Sequence, residues 1–164
     1  KSILKTNFIT LAKKIKEKIP DIGLTTDIIV GFPGETDEDF QDTMDVVNEV
    51  GFENAFMFMY SKRSGTPAAT MEEQVDEQVK NERLQQLMRL QNYKAKEESQ
   101  KYLGKTVKVL VEGPSRKNPE MLTGRTSTHK IVLFKSDRTD LKGKFVHTRI
   151  YEAKTWTLYG ELEE

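Results

Sequence analysis

The chain has 164 residues, with 26 basic and 26 acidic side chains, two histidines and no cysteine. That length holds one ordinary domain or two small ones. The lack of cysteine excludes disulfides, thiolate metal sites and cysteine nucleophiles, and no run of 18 apolar residues exists to span a membrane as a helix.

Leu4, Phe8, Leu11, Ala12, Ile15 and Ile19 recur at three-to-four spacing and predict a helix over 3–19 with this face buried; Pro20 stops it. A strand is expected over 22–30, where Ile28, Ile29 and Val30 form the continuous apolar run of a strand covered on both faces. Gly31, Pro33 and Gly34 then break regular structure and bring bare backbone toward whatever lies above the strand. Thr36 and Asp39 make a capping-box pattern for a helix over 37–50. Phe40, Met44, Val47 and Val50 line its buried side and Gly51 ends it. A second strand over 54–60, Asn-Ala-Phe-Met-Phe-Met-Tyr, is expected to be buried.

Alternation of helix and strand with short loops is the grammar of a parallel sheet with crossover helices. Two strands cannot build such a sheet with both faces covered. Residues 1–75 therefore read as a piece of a larger α/β domain, or as one that recruits a partner to complete it, with an open parallel edge and self-association as the expected consequence. After an irregular loop over 61–70, Asp76 can cap a helix running from Glu77 to about Lys101. Val79, Leu84, Leu87, Met88 and Gln91 form its narrow stripe, and residues 76–100 read as a connector.

From Leu103 the period becomes two: Val107, Val109 and Val111 alternate with Lys108 and Leu110. Further short strands are expected over 122–126, 131–134, 144–150 and 155–162, separated by Gly, Pro and Asn turn signals. Five such strands in 101–164 predict a small antiparallel barrel of the OB type. The fold class is thus α/β followed by all-β.

Charge divides along the same line. Residues 1–102 hold 14 basic and 18 acidic side chains, whereas 103–164 hold 12 and 8. A basic barrel beside a mildly acidic domain points to a polyanion partner such as RNA. Arg116, Lys117, Arg125, Lys130 and Lys135 are the candidate phosphate contacts. Trp156, Tyr151, Tyr159 and Phe134 have the chemistry to stack bases, although filling a small barrel is the commoner role of such residues. His129 and His147, without clustered acids, are poor metal ligands; His147, in a strand, is expected to be half-buried.

The first domain offers an enzyme-like rim, because ligands of α/β enzymes bind at the C-terminal strand ends. The loop over 31–36 lacks the Gly-Lys-Ser/Thr ending of a nucleotide phosphate loop. Asp27 is an acid in a strand expected to be buried, which is costly unless it serves a site or an internal bond. Ser61 and Arg63, beyond the second strand, add a hydroxyl and a planar donor fork on the same rim. Asp27, Gly31, Ser61 and Arg63 are the candidate rim residues.

Three segments in order carry a resemblance. Thr25-Thr26-Asp27-Ile28-Ile29-Val30-Gly31-Phe32-Pro33-Gly34-Glu35-Thr36 resembles the mid-barrel strand and loop of the radical S-adenosylmethionine (SAM) methylthiotransferases. Tyr60-Ser61-Lys62-Arg63-Ser64-Gly65-Thr66-Pro67-Ala68-Ala69 resembles their next strand-end motif. Leu103-Gly104-Lys105-Thr106-Val107, Val111-Glu112-Gly113-Pro114-Ser115 and Gly124-Arg125-Thr126 resemble their C-terminal TRAM domain.

Arg63 makes the loop more similar to members that modify tRNA than to those that modify a ribosomal protein. The resemblance implies a cytoplasmic transferase using SAM and two 4Fe-4S clusters, with tRNA as partner, which adds a methylthio group to a modified adenosine beside the anticodon. It also implies that residues 1–75 are the C-terminal part of a radical-SAM barrel. The cluster-binding parts would then precede Lys1, since no cysteine is present, so no residue here is assigned as catalytic or as a metal ligand. Glu35 falls one position late for the glycine-rich signature that packs beside the SAM adenine in many such enzymes. A stand-alone RNA-binding module, or a methylthiotransferase acting on a ribosomal protein, are the alternative readings.

Overall fold

The computed structural model describes residues 2–163, and side chains from Leu4 onward. Lys1 and Glu164, the outermost residues of the expected domains 1–75 and 101–164, lie outside the described residues. The chain divides into two compact units, 1–94 and 95–164. The division falls inside the helix expected to connect them.

In the first unit, α1 (Ser2–Lys18), β1 (Thr25–Val30), α2 (Asp37–Val50), β2 (Asn54–Met59) and the start of α3 (Glu77–Gln100) follow in order. The strands pair in parallel, with Asp27 opposite Phe56 and Ile29 opposite Phe58. Thr36 accepts from the Asp39 amide, and Asp39 accepts in return from the Thr36 amide, so the capping box forms as the sequence implies. Three acidic residues in the first turn of α2 complement its positive end. Gly51 closes the helix with φ 64°, a left-handed conformation that favours glycine.

One core holds this unit. Ile9 and Ala12 of α1 meet Phe40, Val47 and Val50 of α2, Val30 of β1, Phe52, and Leu87 of α3. All of it lies on one face of the two-stranded sheet, and this overturns three expectations. Ile28 to Val30 is not covered on both faces: Ile28 and Val30 turn inward, while Asp27 and Ile29 are exposed. In β2 only Ala55 is buried and Met57 half-buried, whereas Phe56 and Phe58 stand 55% and 54% exposed. On α1 the expected stripe is buried only in part: Ala12 is buried beside Ile9 and Ile15 is half-buried, while Leu4, Phe8, Leu11 and Ile19 are exposed. The physical reason is common to all three. An apolar pattern marks faces that can be buried, and among the described residues no element covers the second one.

The buried stripe of α3 is also more polar than its apolar residues predict. Lys80, Arg83, Leu87, Gln91, Ala95 and Ser99, at steps of three and four, are buried, while Met88 is exposed. Gln91 donates its Nε2 to the carbonyl of Phe52 at 3.1 Å.

The second unit is a closed barrel of β3 (Thr106–Pro114), β4 (Met121–Arg125), β5 (Ile131–Lys135), β6 (Phe145–Ala153) and β7 (Thr157–Glu163), ordered β3-β4-β5-β7-β6 around the ring. The expected number of strands is right, but the barrel is not wholly antiparallel: β5 and β7 run parallel. That pair closes the ring, and strand periodicity alone does not report direction. Val109, Val111, Val132, Phe134, Leu141, Val146, Ile150, Ala153 and Leu158 fill the interior. The last turns of α3 belong to this unit, where Ser99 Oγ donates to the Thr155 carbonyl and Gln100 Nε2 to that of Ala153.

Candidate active-site rim and nucleic-acid interface

The rim of the first unit is the pair of C-terminal strand ends. Val30, fully buried, ends β1, and its carbonyl accepts from the Tyr60 amide at 2.8 Å, which ties the two ends together. Gly31 follows at φ 71°. A methyl group there would overlap Cγ of Lys80 and lie 2.9 Å from its Cδ, so only glycine fits beneath that side chain. The backbone that the sequence leaves bare is thus covered by a lysine of α3. The Gly31 amide donates to Glu35 Oε1 at 2.9 Å.

The Glu35 carboxylate is held inside the protein through this oxygen. Its Oε1 also accepts from Arg83 Nη1 at 2.7 Å, and Arg83 Nη2 reaches Asp37 at 2.7 Å. The Glu35 and Arg83 side chains are 11% and 7% exposed, so this is a largely desolvated ion pair. Lys80 Nζ donates to the Tyr60 carbonyl at 3.3 Å and pairs with Glu77 at 2.7 Å. Phe32 meets Tyr60 edge to face at a ring separation of 5.2 Å.

Around this scaffold the sequence-derived candidates fall as follows. Ser61 and Arg63 are exposed; Thr66 Oγ1 donates to the Arg63 carbonyl at 2.8 Å, while the guanidinium itself has no ion-pair partner among the described residues. Asp27 is exposed on the open sheet face, so the cost of burying an acid in this strand does not arise here. Gly31 is buried. The hydroxyl of Tyr60 is buried and has no hydrogen-bond partner among the described residues. Lys80 and Arg83 were not found by sequence reasoning. The signal was present, because both continue the three-and-four spacing of Leu87 and Gln91, but a search for apolar residues passes over it. A 260 Å³ cavity lined by Leu4, Lys5, Asp39, Asp42, Thr43 and Val46 includes none of the rim residues.

On the barrel, strand register decides which cations share a region. Met121 pairs with Lys135, which brings the end of β5 beside the β3–β4 loop that carries Arg116 and Lys117. The β5–β6 loop joins them, since Gly143 donates to the Val111 carbonyl and the Lys144 carbonyl accepts from Val111. Arg116, Lys117, Lys135 and Lys142 are exposed at this barrel end. Arg138 and Lys144 share Asp140, at 3.0 and 2.8 Å. Arg125 lies apart, paired with Glu112 at 3.0 Å and donating to the His129 carbonyl. Lys130 is 6% exposed and donates to Ser99 Oγ at 3.1 Å, so its ammonium is buried rather than offered to a phosphate.

Phe134 is fully buried in the barrel interior. Trp156 and Tyr151 are exposed, and Tyr159 is half-buried with Lys154 over its ring at 4.7 Å. His147 is exposed, not half-buried, because it takes an outward position of β6 between inward Val146 and Thr148. The most accessible aromatic ring of the barrel is Phe145, with Lys108 above it at 4.4 Å. It was missed because it opens a strand and reads as core.

Residues 100–162 match the TRAM domain. The chain is 61% identical over 158 residues to the tRNA-2-methylthio-N(6)-dimethylallyladenosine synthase of Fusobacterium nucleatum, covering 96% of this chain and 36% of that protein. By sequence, it is similar along nearly its whole length to about a third of this synthase, and the matched part includes a TRAM domain. The enzymes of the same name from Acetivibrio thermocellus and Bacillus cereus are 56% and 54% identical over 96% of the chain, which covers 33% and 31% of their lengths. The chain thus spans about a third of the curated relatives it matches. Both the rim and the barrel lie within the matched region.

Proposed function

We propose that this chain is the part of a tRNA methylthiotransferase that completes the barrel rim and docks tRNA. In this reading the parent adds a 2-methylthio group to N(6)-dimethylallyladenosine beside the anticodon. The observation that carries it is the identity with the named synthases across both units. The open face of β1 and β2 supports it. Ile29, Phe56 and Phe58 are placed as strands of a larger barrel would place them, with Asp27 among them.

The family's iron–sulfur clusters do not fit the residues present. The chain has no cysteine, and among the described residues no group of three His, Asp or Glu is arranged to hold a metal. SAM fits the rim better, since Ser61, Arg63 and the orphan Tyr60 hydroxyl offer donors to a zwitterionic nucleoside. SAM supplies the radical and methyl chemistry when bound. This chain's contribution is to orient it through these donors, with Asp27 and Gly31 shaping the surroundings. In the complete enzyme, Arg63→Ala is expected to weaken SAM affinity; unchanged affinity and turnover would remove Arg63 from the site.

Docking of tRNA falls to the barrel end that gathers Arg116, Lys117, Lys135 and Lys142, and leaves out Arg125, at the other end of β4. Phosphate contacts of this kind release counterions, so affinity should fall steeply with salt. The test uses the 164-residue chain and tRNA across a salt series. Lys135→Ala should weaken binding and reduce the log–log salt slope by about 1, while Lys14→Ala on α1 should do neither. A salt-independent interaction would remove the barrel as the docking site. For the parent activity, loss of the 2-methylthio group from tRNA in a deletion strain is the decisive readout.

A further inference from the structure

We propose that Lys80 and Arg83 of α3 are positioning residues for the SAM-binding rim, holding its two strand-end segments at a fixed separation. The proposal rests on the reading above that this rim binds SAM.

Four observations carry it. Both side chains are buried, at 4% and 6% exposure, although they are charged. Such burial is rare without a partner set that uses the charge. Lys80 straddles both strand ends: its methylenes lie on Gly31 after β1, and its ammonium donates to the carbonyl of Tyr60 after β2. Arg83 gathers the other half of the first segment, bonding the carboxylate and the carbonyl of Glu35 and the carboxylate of Asp37. The same Glu35 carboxylate accepts from the Gly31 amide, so the guanidinium sets the loop through one shared oxygen.

The consequence concerns Glu35. By sequence it falls one position late for the signature that packs beside the SAM adenine, which argues against a direct SAM contact. Here its Oε1 is spent on Arg83 and Gly31, and the residue acts as an internal counter-ion of the loop. The atoms left for a ligand are those of Phe32, Ser61 and Arg63, whose placement depends on the clamp. Arg is not replaceable by Lys in this role, because one planar fork reaches two carboxylates and a carbonyl.

The test uses the complete, cluster-loaded enzyme and radiolabelled SAM in equilibrium dialysis, with tRNA affinity and iron content as controls. Arg83→Gln is expected to raise the SAM dissociation constant at least tenfold, and Lys80→Met severalfold, with tRNA affinity unchanged. Met keeps much of the apolar cover over Gly31 and removes the ammonium, so it reports on the Tyr60 contact. Arg83→Lys should restore less than half of the loss. If Arg83→Gln strands the Glu35 charge and loses iron, the double change Glu35→Gln with Arg83→Gln replaces it as a neutral pair and is held to the same tenfold criterion. SAM binding within twofold of the unaltered enzyme, in iron-replete variants at both positions, overturns the proposal. Failure of the unaltered enzyme to bind SAM overturns the reading of the rim itself, and the proposal with it.

Discussion

In the barrel each of five strands has a neighbour on both sides, and the ring leaves no open edge. In the sheet of the first unit β1 and β2 have only each other. The barrel buries nine apolar side chains in one interior. The sheet buries one face and presents Ile29, Phe56 and Phe58 on the other. Full burial of such a side chain is worth about 1.5–3 kcal/mol, so the open face holds a driving force that this chain does not use. The same sequence therefore contains one unit closed on itself and one with an open sheet face.

The largest effect should come from breaking the closed unit. Phe134 is fully buried, and Phe134→Ala leaves a cavity among Val109, Val132 and Leu158. The expected cost is about 3–5 kcal/mol, read by urea unfolding. Hydrogen exchange would show where it falls: protection should drop at Val132 and Leu158 and persist at Val30 and Val47. Equal loss at all four would mean that the units unfold together, and the contrast between them would not hold.

A smaller effect on stability, but a sharper one on association, is expected from the open face. Phe56→Thr with Phe58→Thr replaces exposed rings, so the folded chain should change by no more than about 0.5 kcal/mol per site. Unpaired edges and an apolar face invite pairing between copies. Sedimentation velocity should show concentration-dependent association of the unaltered chain and its loss in the double variant. In the complete enzyme the same two changes should instead destabilise the barrel. A monomeric unaltered chain would show that the face is tolerated in water.

Local signals in the sequence were read correctly wherever they were self-contained. The Thr36–Asp39 box, the Gly51 stop and the count of barrel strands each depend on a few neighbouring residues. Burial was misread where an apolar face has no covering element among the described residues. Ile29 in the run Ile28 to Val30, and Leu4, Phe8, Leu11 and Ile19 on α1, are such positions. The direction of β7 against β5 is a property of ring closure and leaves no trace in a period of two. For the site, Ser61 and Arg63 were legible as polar groups after a strand. The Lys80 and Arg83 clamp was not, because a buried charge looks like a solvated one until its partners at Glu35, Asp37 and Tyr60 are placed beside it. Lys130 shows the converse, a cation counted for the surface that the fold buries against Ser99.

The smallest effect tests the barrel's basic end through its one acid shared by two cations. The Arg138 guanidinium, with help from Lys144, holds the Asp140 carboxyl well below the usual carboxylate range. A carboxyl whose value is depressed on folding stabilises the fold above its unfolded value, near 4, and loses that contribution as pH falls through its folded value. Asp140→Asn should therefore lower stability slightly at pH 7 and at pH 5 alike, and the gap should narrow only below about pH 4. Salt should narrow it at any pH, since all three groups are exposed. The same substitution frees Arg138 and Lys144 beside Lys142 and removes a negative charge. Affinity for tRNA should then rise and its salt slope steepen, although the fold is marginally weaker. A variant that loses stability without gaining RNA affinity would place the docking surface away from this loop, and the closed unit would have to bind through its outer strands instead.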